Sequence, residues 1–339
     1  MLVMDAFADE LVAPDTPDLP EQFFDRFVFN LHETDATAPS ILFGLGIHPP
    51  QDTVDGFVVL VVDAEQRNLR FSSELSATDG ASVGPFSWRV LKPMKTWQVT
   101  LGPNPTGVEF DLHWRARAPA WIGEVSVGDG VTSTAAFTHL FQSGLYDGTL
   151  SIDGEARSIN GWYGQRDRSR GVRTMSGGQG LHVWYQAQFP DRSVGFLLVE
   201  DRDQKRLLLE GAVMHVDGRL DAIVDVAHDL AFDAGLDLQR GRVRVTTGSG
   251  ATYLIDADAS AGGGYMAGAG YGGDHGRPVG RDHLEYDVYP LDGTVSPRSL
   301  DTSLTDRLAA FTWQGHHGTG IFEFALTRSS RYAYQPTLG

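Results

Sequence analysis

Val108-Glu109-Phe110-Asp111-Leu112-His113-Trp114-Arg115 alternates apolar and polar residues without a break. In an extended chain successive side chains point to opposite faces, so Val108, Phe110, Leu112 and Trp114 share one face and the polar residues the other. The stretch reads as a half-buried strand, and neighbouring stretches repeat the pattern. In His182–Phe189, Val183, Tyr185, Ala187 and Phe189 face one way, and His182, Trp184, Gln186 and Gln188 face the other. Leu284, Tyr286 and Val288 mark another strand, and Ile321–Leu326 a late one. Phe57–Val62 is continuously apolar, as expected of a strand covered on both faces. Asp147-Gly148, Asp153-Gly154, Asp217-Gly218 and Asp292-Gly293 fall between apolar runs and read as hairpin turns. Helical signal is thin. Asp301–Phe311 is expected to form one short helix, residues 9–22 an extended arm, and residues 261–280 a glycine-rich connection or lid. The pattern predicts an all-β protein of two tandem antiparallel barrel or sandwich domains, 1–175 and 176–339, parted near Ser176-Gly177-Gly178.

Composition narrows the function classes. The 339 residues carry 27 Lys and Arg against 44 Asp and Glu, a net charge of −17, which argues against nucleic acid or an anionic membrane as partner. There is no cysteine, so thiolate nucleophiles and thiolate metal sites are excluded. Met1-Leu2-Val3-Met4-Asp5 lacks the features of a secretion signal, and no apolar run is long enough to span a membrane, so the expected location is cytoplasmic.

Several motifs fail on context. Gly268-Ala269-Gly270-Tyr271-Gly272-Gly273 matches G-x-G-x-x-G, but Asp274-His275-Gly276-Arg277-Pro278 follows, and Gly with Pro opposes the helix a dinucleotide needs. Asp274, His275, Asp282 and His283 are close in sequence but read as loop residues, so no metal and no cofactor is expected. No Gly-x-Ser-x-Gly elbow occurs. A carbohydrate-active β protein stays open, with Trp114 among the tryptophans that would form its platform.

Glu323 shares a face with Ile321 and Ala325. It either faces solvent or is buried, where desolvation favours its neutral form. Asp167 lies among Arg166, Arg168, Arg170 and Arg173. Such cations favour the charged carboxylate, which suits a structural ion pair better than a general acid.

Gly161-Trp162-Tyr163-Gly164-Gln165-Arg166-Asp167-Arg168-Ser169-Arg170-Gly171-Val172-Arg173 resembles the Arg-Asp-His/Arg-Ser-Trp-Gly-x-Arg signature of hydroxyneurosporene synthase (carotenoid 1,2-hydratase)-like double-lipocalin proteins. Val83–Trp88 with Leu91-Lys92-Pro93, Phe110–Leu112 with Arg115-Ala116-Arg117, His139–Gly144 with Tyr146-Asp147-Gly148, and Gly318–Glu323 agree with it. The signature's tryptophan is Arg170 here. The resemblance implies two lipocalin-like barrels with a pocket near their junction. It also implies cofactor-free hydration, isomerisation, cyclisation or lyase chemistry on an apolar, often unsaturated small molecule. On that reading Glu323 is the acid, and His182 or His275 handles the second proton. Trp184 and Tyr271 face developing positive charge, and Asp167 with Arg173 fixes the wall between the domains. Trp184, Gln186, Tyr271, Trp114 and Arg173 are the expected substrate contacts. The competing reading is a non-catalytic carrier of a lipophilic molecule in the same cavity.

Overall fold

In the computed structural model, Phe7 and residues 9–37, 39–78, 81–128, 133–173 and 179–339 are described. Strand accounts for 63% of the chain and helix for 4%, so the paucity of helical signal carried through. The strands are β1 (Phe23–His32), β2 (Ser40–His48), β3 (Thr53–Val62), β4 (Glu65–Glu74), β5 (Ser82–Val83), β6 (Phe86–Lys92) and β7 (Thr96–Leu101). β8 (Val108–Ala116), β9 (Trp121–Gly128), β10 (Ser133–Ile152), β11 (Glu155–Arg173), β12 (Gln179–Phe189), β13 (Arg192–Asp201) and β14 (Arg206–His215) follow. The last seven are β15 (Leu220–Phe232), β16 (Leu238–Thr247), β17 (Thr252–Asp258), β18 (Gly263–Tyr265), β19 (His283–Pro290), β20 (Thr305–Trp313) and β21 (His316–Leu326).

Two antiparallel sheets result. The first is a curled sheet in the order β19-β4-β3-β2-β1-β11-β10-β8-β7-β6-β5, with β9 also on β10. The second runs β17-β16-β15-β14-β13-β12-β21-β20, and β17 pairs back onto β20 to close an eight-stranded barrel. The architecture is that of tandem lipocalin-like domains. The expected boundary at 175/176 lies outside the described residues. β19 leaves the second half of the chain to pair with β4 along its whole length, from His283 opposite Ser72 to Pro290 opposite Glu65.

Three apolar layers follow from strand alternation. Val108, Phe110, Leu112 and Trp114 point into the first sheet's own core, with Trp97, Phe43 and Tyr146. Val183, Tyr185, Ala187 and Phe189 fill the barrel interior with Phe322 and Phe324. The third layer lies between the sheets, where Phe57, Val59 and Val61 of β3 and Trp184, Leu308 and Ile321 of the barrel's outer wall meet. β3 is therefore apolar throughout because it is covered twice, Val58 and Leu60 facing one core and its alternate residues the other.

The same double coverage explains the expectation that fails at Asp301–Phe311. Thr305–Trp313 is strand β20, not helix: Ala309 and Phe311 enter the barrel core and Leu308 the layer between the sheets. Without a polar face it carries no period-2 signal. Asp147-Gly148 is likewise not a turn. It lies inside the 20-residue β10, at a register shift after Tyr146, and Gly148 (φ 144°) lies so close to β8 that a Cβ there would sit 2.1 Å from the Asp111 carbonyl oxygen. Asp153-Gly154 does turn β10 into β11, both residues at positive φ.

The arginine cluster is sorted by alternation on β11. Arg166 and Arg168 point into the first sheet, where the N-terminal arm meets them. Asp9 accepts from Arg166 Nη1 (2.6 Å) and Trp97 Nε1 (2.7 Å), and Asp25 accepts from Arg168 Nε (2.9 Å) and Nη2 (2.7 Å). Arg168 and Asp25 are both fully buried, so each charge depends on the other. Arg170, at the tryptophan position of the resembled signature, joins Asp25 at 3.0 Å and stacks near Phe7, on the same side as Arg168.

Candidate active site

Asp167 points the opposite way from those arginines, into the layer between the sheets. Its expected pairing with Arg166, Arg168 and Arg170 is therefore corrected: it accepts from His139 Nε2 at 2.7 Å. His139 Nδ1 bonds Glu210 on the barrel's outer wall, which also accepts from Trp121 Nε1. One imidazole thus bridges two carboxylates and two domains. Burial opposes its charge, but Asp167 and Glu210 override burial and push His139 up to about 10.

Beside this bridge a cavity of about 300 Å³ opens between the sheets. Its apolar wall includes Phe24, Val28, Phe137, Trp184, Leu197 and Met266. β20 and β21 supply its chemistry. Asp306 and Glu323 are directly opposed on these two strands, and both face the cavity because Arg307 and Phe322 turn away from it. Asp306 is 2% exposed. Burial, and then the adjacent Glu323 to which it is hydrogen-bonded, raise its carboxyl well above the ordinary 3.8. That shift favours its protonated form, and its Oδ1 has no hydrogen-bond partner among the described residues. Glu323 Oε1 lies 2.9 Å from His182 Nε2 on β12. The order along the wall is Asp306, Glu323, His182, a row of groups that can deliver a proton and take one back.

Across the cavity stand Arg26, Arg173 and Tyr271. Tyr271 comes from the glycine-rich stretch, which crosses the site as a short 3₁₀ turn, Met266–Ala269, ending at Gly270 (φ 91°), so no helix starts at the G-x-G-x-x-G. Burial raises the Tyr271 hydroxyl and pulls Arg173 below the usual arginine value.

Of the residues singled out in the sequence, Glu323, His182, Asp167, Trp184, Tyr271 and Arg173 converge on this cavity. Three do not. Trp114 is wholly buried in the first sheet, its ring 5.3 Å from the Arg166 guanidinium. Gln186 belongs to a polar seam between β11 and β12, accepting from Gln165 Nε2 at 3.0 Å. His275 stands in a neighbouring recess with its Nδ1 3.5 Å from Asp55, which His48 also approaches at 3.3 Å. Burial, then Arg26, lowers His275 to about 4. Asp274 and His283 border a small recess with His275 but are paired elsewhere, Asp274 with Arg277 at 3.8 Å and His283 with Glu285 at 3.0 Å, and Asp282 does not line it. Among the described residues no group of three or more His, Asp and Glu could hold a metal ion.

Sequence reasoning missed Asp306, His139, Glu210 and Arg26. Asp306 was hidden by the helix reading of its segment. As a strand, the acid opposite Glu323 becomes an immediate candidate. Nothing local distinguishes His139 or Glu210, which meet 71 residues apart.

A family model described as a family of unknown function (DUF8625) matches residues 9–332. No curated protein matches the chain. Among solved structures, a protein of Nitrosomonas europaea described as an ATTH is 13% identical over 93% of this chain and 99% of its own, with a TM-score of 0.59. CghA is 10% identical over 93% of each chain, TM-score 0.53. Kievitone hydratase from Nectria haematococca is 10% identical over 94% of each, TM-score 0.49. The first two likenesses bear on the fold alone, where they agree with the two-sheet architecture. Among the described residues no helix is long and apolar enough to cross a membrane.

Proposed function

The chain belongs to the family of unknown function DUF8625, and we propose that it is a cofactor-independent enzyme of the hydratase, isomerase, cyclase or lyase type acting on a hydrophobic, unsaturated small molecule. The observation that carries this is the buried Asp306, its carboxyl raised by burial and hydrogen-bonded to Glu323, with His182 next in line, on the wall of a largely apolar cavity. A carrier has no use for a buried acid pair, since an unneeded buried carboxyl only costs free energy. An acid catalyst needs one, because a carboxyl kept neutral at pH 7 has a proton to give.

In hydration the Asp306 O–H bond breaks and its proton forms a C–H bond at one alkene carbon. Water attacks the other carbon and gives its proton to the Glu323–His182 pair, from which Asp306 is reprotonated. Elimination is the same path reversed. Isomerisation uses the two proton transfers without the water. Trp184 and Leu197 keep the cavity wall apolar, and the His139 bridge holds Asp167 in place.

The test is isotope incorporation. Short isoprenoid alkenes and α,β-unsaturated acids are incubated with the protein in deuterated, ¹⁸O-labelled water and read by mass spectrometry. Deuterium should enter the product with wild type and fall about 10²–10⁴-fold with Glu323→Gln or Asp306→Asn. Binding of such molecules without incorporation, unchanged in both variants, would instead identify a carrier.

A further inference from the structure

The acid pair does not explain the opposite wall. Arg26 is 9% exposed, yet among the described residues its guanidinium has no carboxylate within 4 Å and donates no side-chain hydrogen bond. Arg173 is half-buried, and among the described residues it too has no carboxylate within 4 Å and donates no side-chain hydrogen bond. What holds them is aromatic. Arg173 sits 4.4 Å from the Phe137 ring and 5.7 Å from Phe24. Arg26 sits 5.9 Å from Phe24 and 5.4 Å from Tyr271. A guanidinium stacked on rings is fixed by its faces and keeps its N–H edge free. That contrasts with Arg168, whose edge is taken up by Asp25. Asp167 and Glu323 act on Arg173 only through space, so two cations held close together with free donors still favour a ligand that brings negative charge into contact with them.

Their position is also particular. A second chamber of about 350 Å³ lies beyond the first, and Phe24, Arg26, Arg173 and Tyr271 line both. The two guanidiniums therefore stand where the chambers meet, with the acid pair on one side and the His48–Asp55–His275 recess on the other.

We propose that Arg26 and Arg173 form the binding site for an anionic oxygen group of the substrate, a carboxylate or enolate, whose unsaturated body then lies in the acid-lined chamber. The proposal rests on the enzymatic reading of the cavity and makes it more specific. Two cations disfavour a free carbocation nearby and favour a substrate whose oxygen takes up the alkene electron pair as water adds to the far carbon, the negative charge being discharged when Asp306 protonates the near carbon. The buried Tyr271 hydroxyl is a neutral donor beside them, suited to the same oxygen.

The probes are octanoate and octan-1-ol, alike in chain and different in head group, titrated into the full chain by calorimetry. Octanoate should bind at least tenfold more tightly. Arg173→Gln and Arg26→Gln should each remove most of that preference while leaving octan-1-ol affinity within about twofold, and either variant suffices should the other not fold. Asp306→Asn, which leaves both guanidiniums in place, should keep the preference. Equal affinity for the two probes, or a preference surviving both arginine variants, overturns the proposal. An intact preference without isotope incorporation would overturn the catalytic reading alone and leave a carrier of organic acids.

Discussion

Asp306→Asn separates what Asp306 does for stability from what it does for chemistry. The carboxyl is raised well above 3.8 in the folded chain, first by burial and then by Glu323, and returns to its ordinary value on unfolding. Between those two values the native state holds a proton that the unfolded state has lost. Stability from such a group is fully present below pH 3.8 and is lost as pH rises toward the native value. The slope is up to ~1.4 kcal/mol per pH unit for one proton. Asparagine is nearly the same shape, can still donate to Glu323, and does not titrate. The variant should therefore match wild type near pH 4 and become progressively more stable than it as pH rises above that, until the raised native value is reached. Urea unfolding followed by tryptophan fluorescence at pH 4, 5, 6 and 7 measures this, and the difference between the two proteins cancels the other titrating groups. A difference that is flat with pH, or one in which wild type gains on the variant as pH rises, would refute the assignment of a buried protonated acid.

His139, pushed up to about 10, should show both ring nitrogens protonated at pH 8 in long-range ¹⁵N spectra, while His275 and His32, lowered to about 4, stay neutral at pH 7. A neutral His139 at pH 8 would dissolve the bridge between Asp167 and Glu210. Because the His139 value is raised, its stabilisation is present below about pH 6.5 and is lost as pH rises through about 10. Asp25→Ala strands the fully buried Arg168 and should cost on the order of 3–5 kcal/mol in chemical denaturation. Gly144→Ala places a methyl 2.3 Å from the Trp114 indole in a packed core and should cost about 1–3 kcal/mol, again read by denaturation.

The strands were legible wherever one face is solvated or the two faces differ. Val108–Arg115 and His182–Phe189 gave their orientations residue by residue, and Glu323 was correctly set apart from Phe322 and Phe324. The site was less legible because it lies between the two sheets, outside the barrel interior. There a strand is covered on both sides, and periodicity vanishes, as at β20. The partnership of Asp167 shows the other limit. Sequence proximity to four arginines suggested its partners, but neighbours along a strand point apart, and its true partner His139 comes from β10. His275, Gln186 and Trp114 carried suitable chemistry, but strand register and loop path set them in other places.

The placement of β19 bears on how the chain is made. β4 is ready to pair once the first 74 residues have been synthesised, yet its outer partner, His283–Pro290, emerges only after most of the second half. More than a hundred residues separate the end of β11 from the start of β19, on the order of 5–20 s of ribosomal elongation. During that interval β4 presents an open edge, Arg67 and Arg70 among its residues, and charged side chains discourage pairing with another nascent chain. The same connection means that a gene fragment ending between the sheets would release a protein with that edge permanently bare. Recombination within the family is therefore expected to exchange both halves together, since neither is a finished module without the eight residues that cross over.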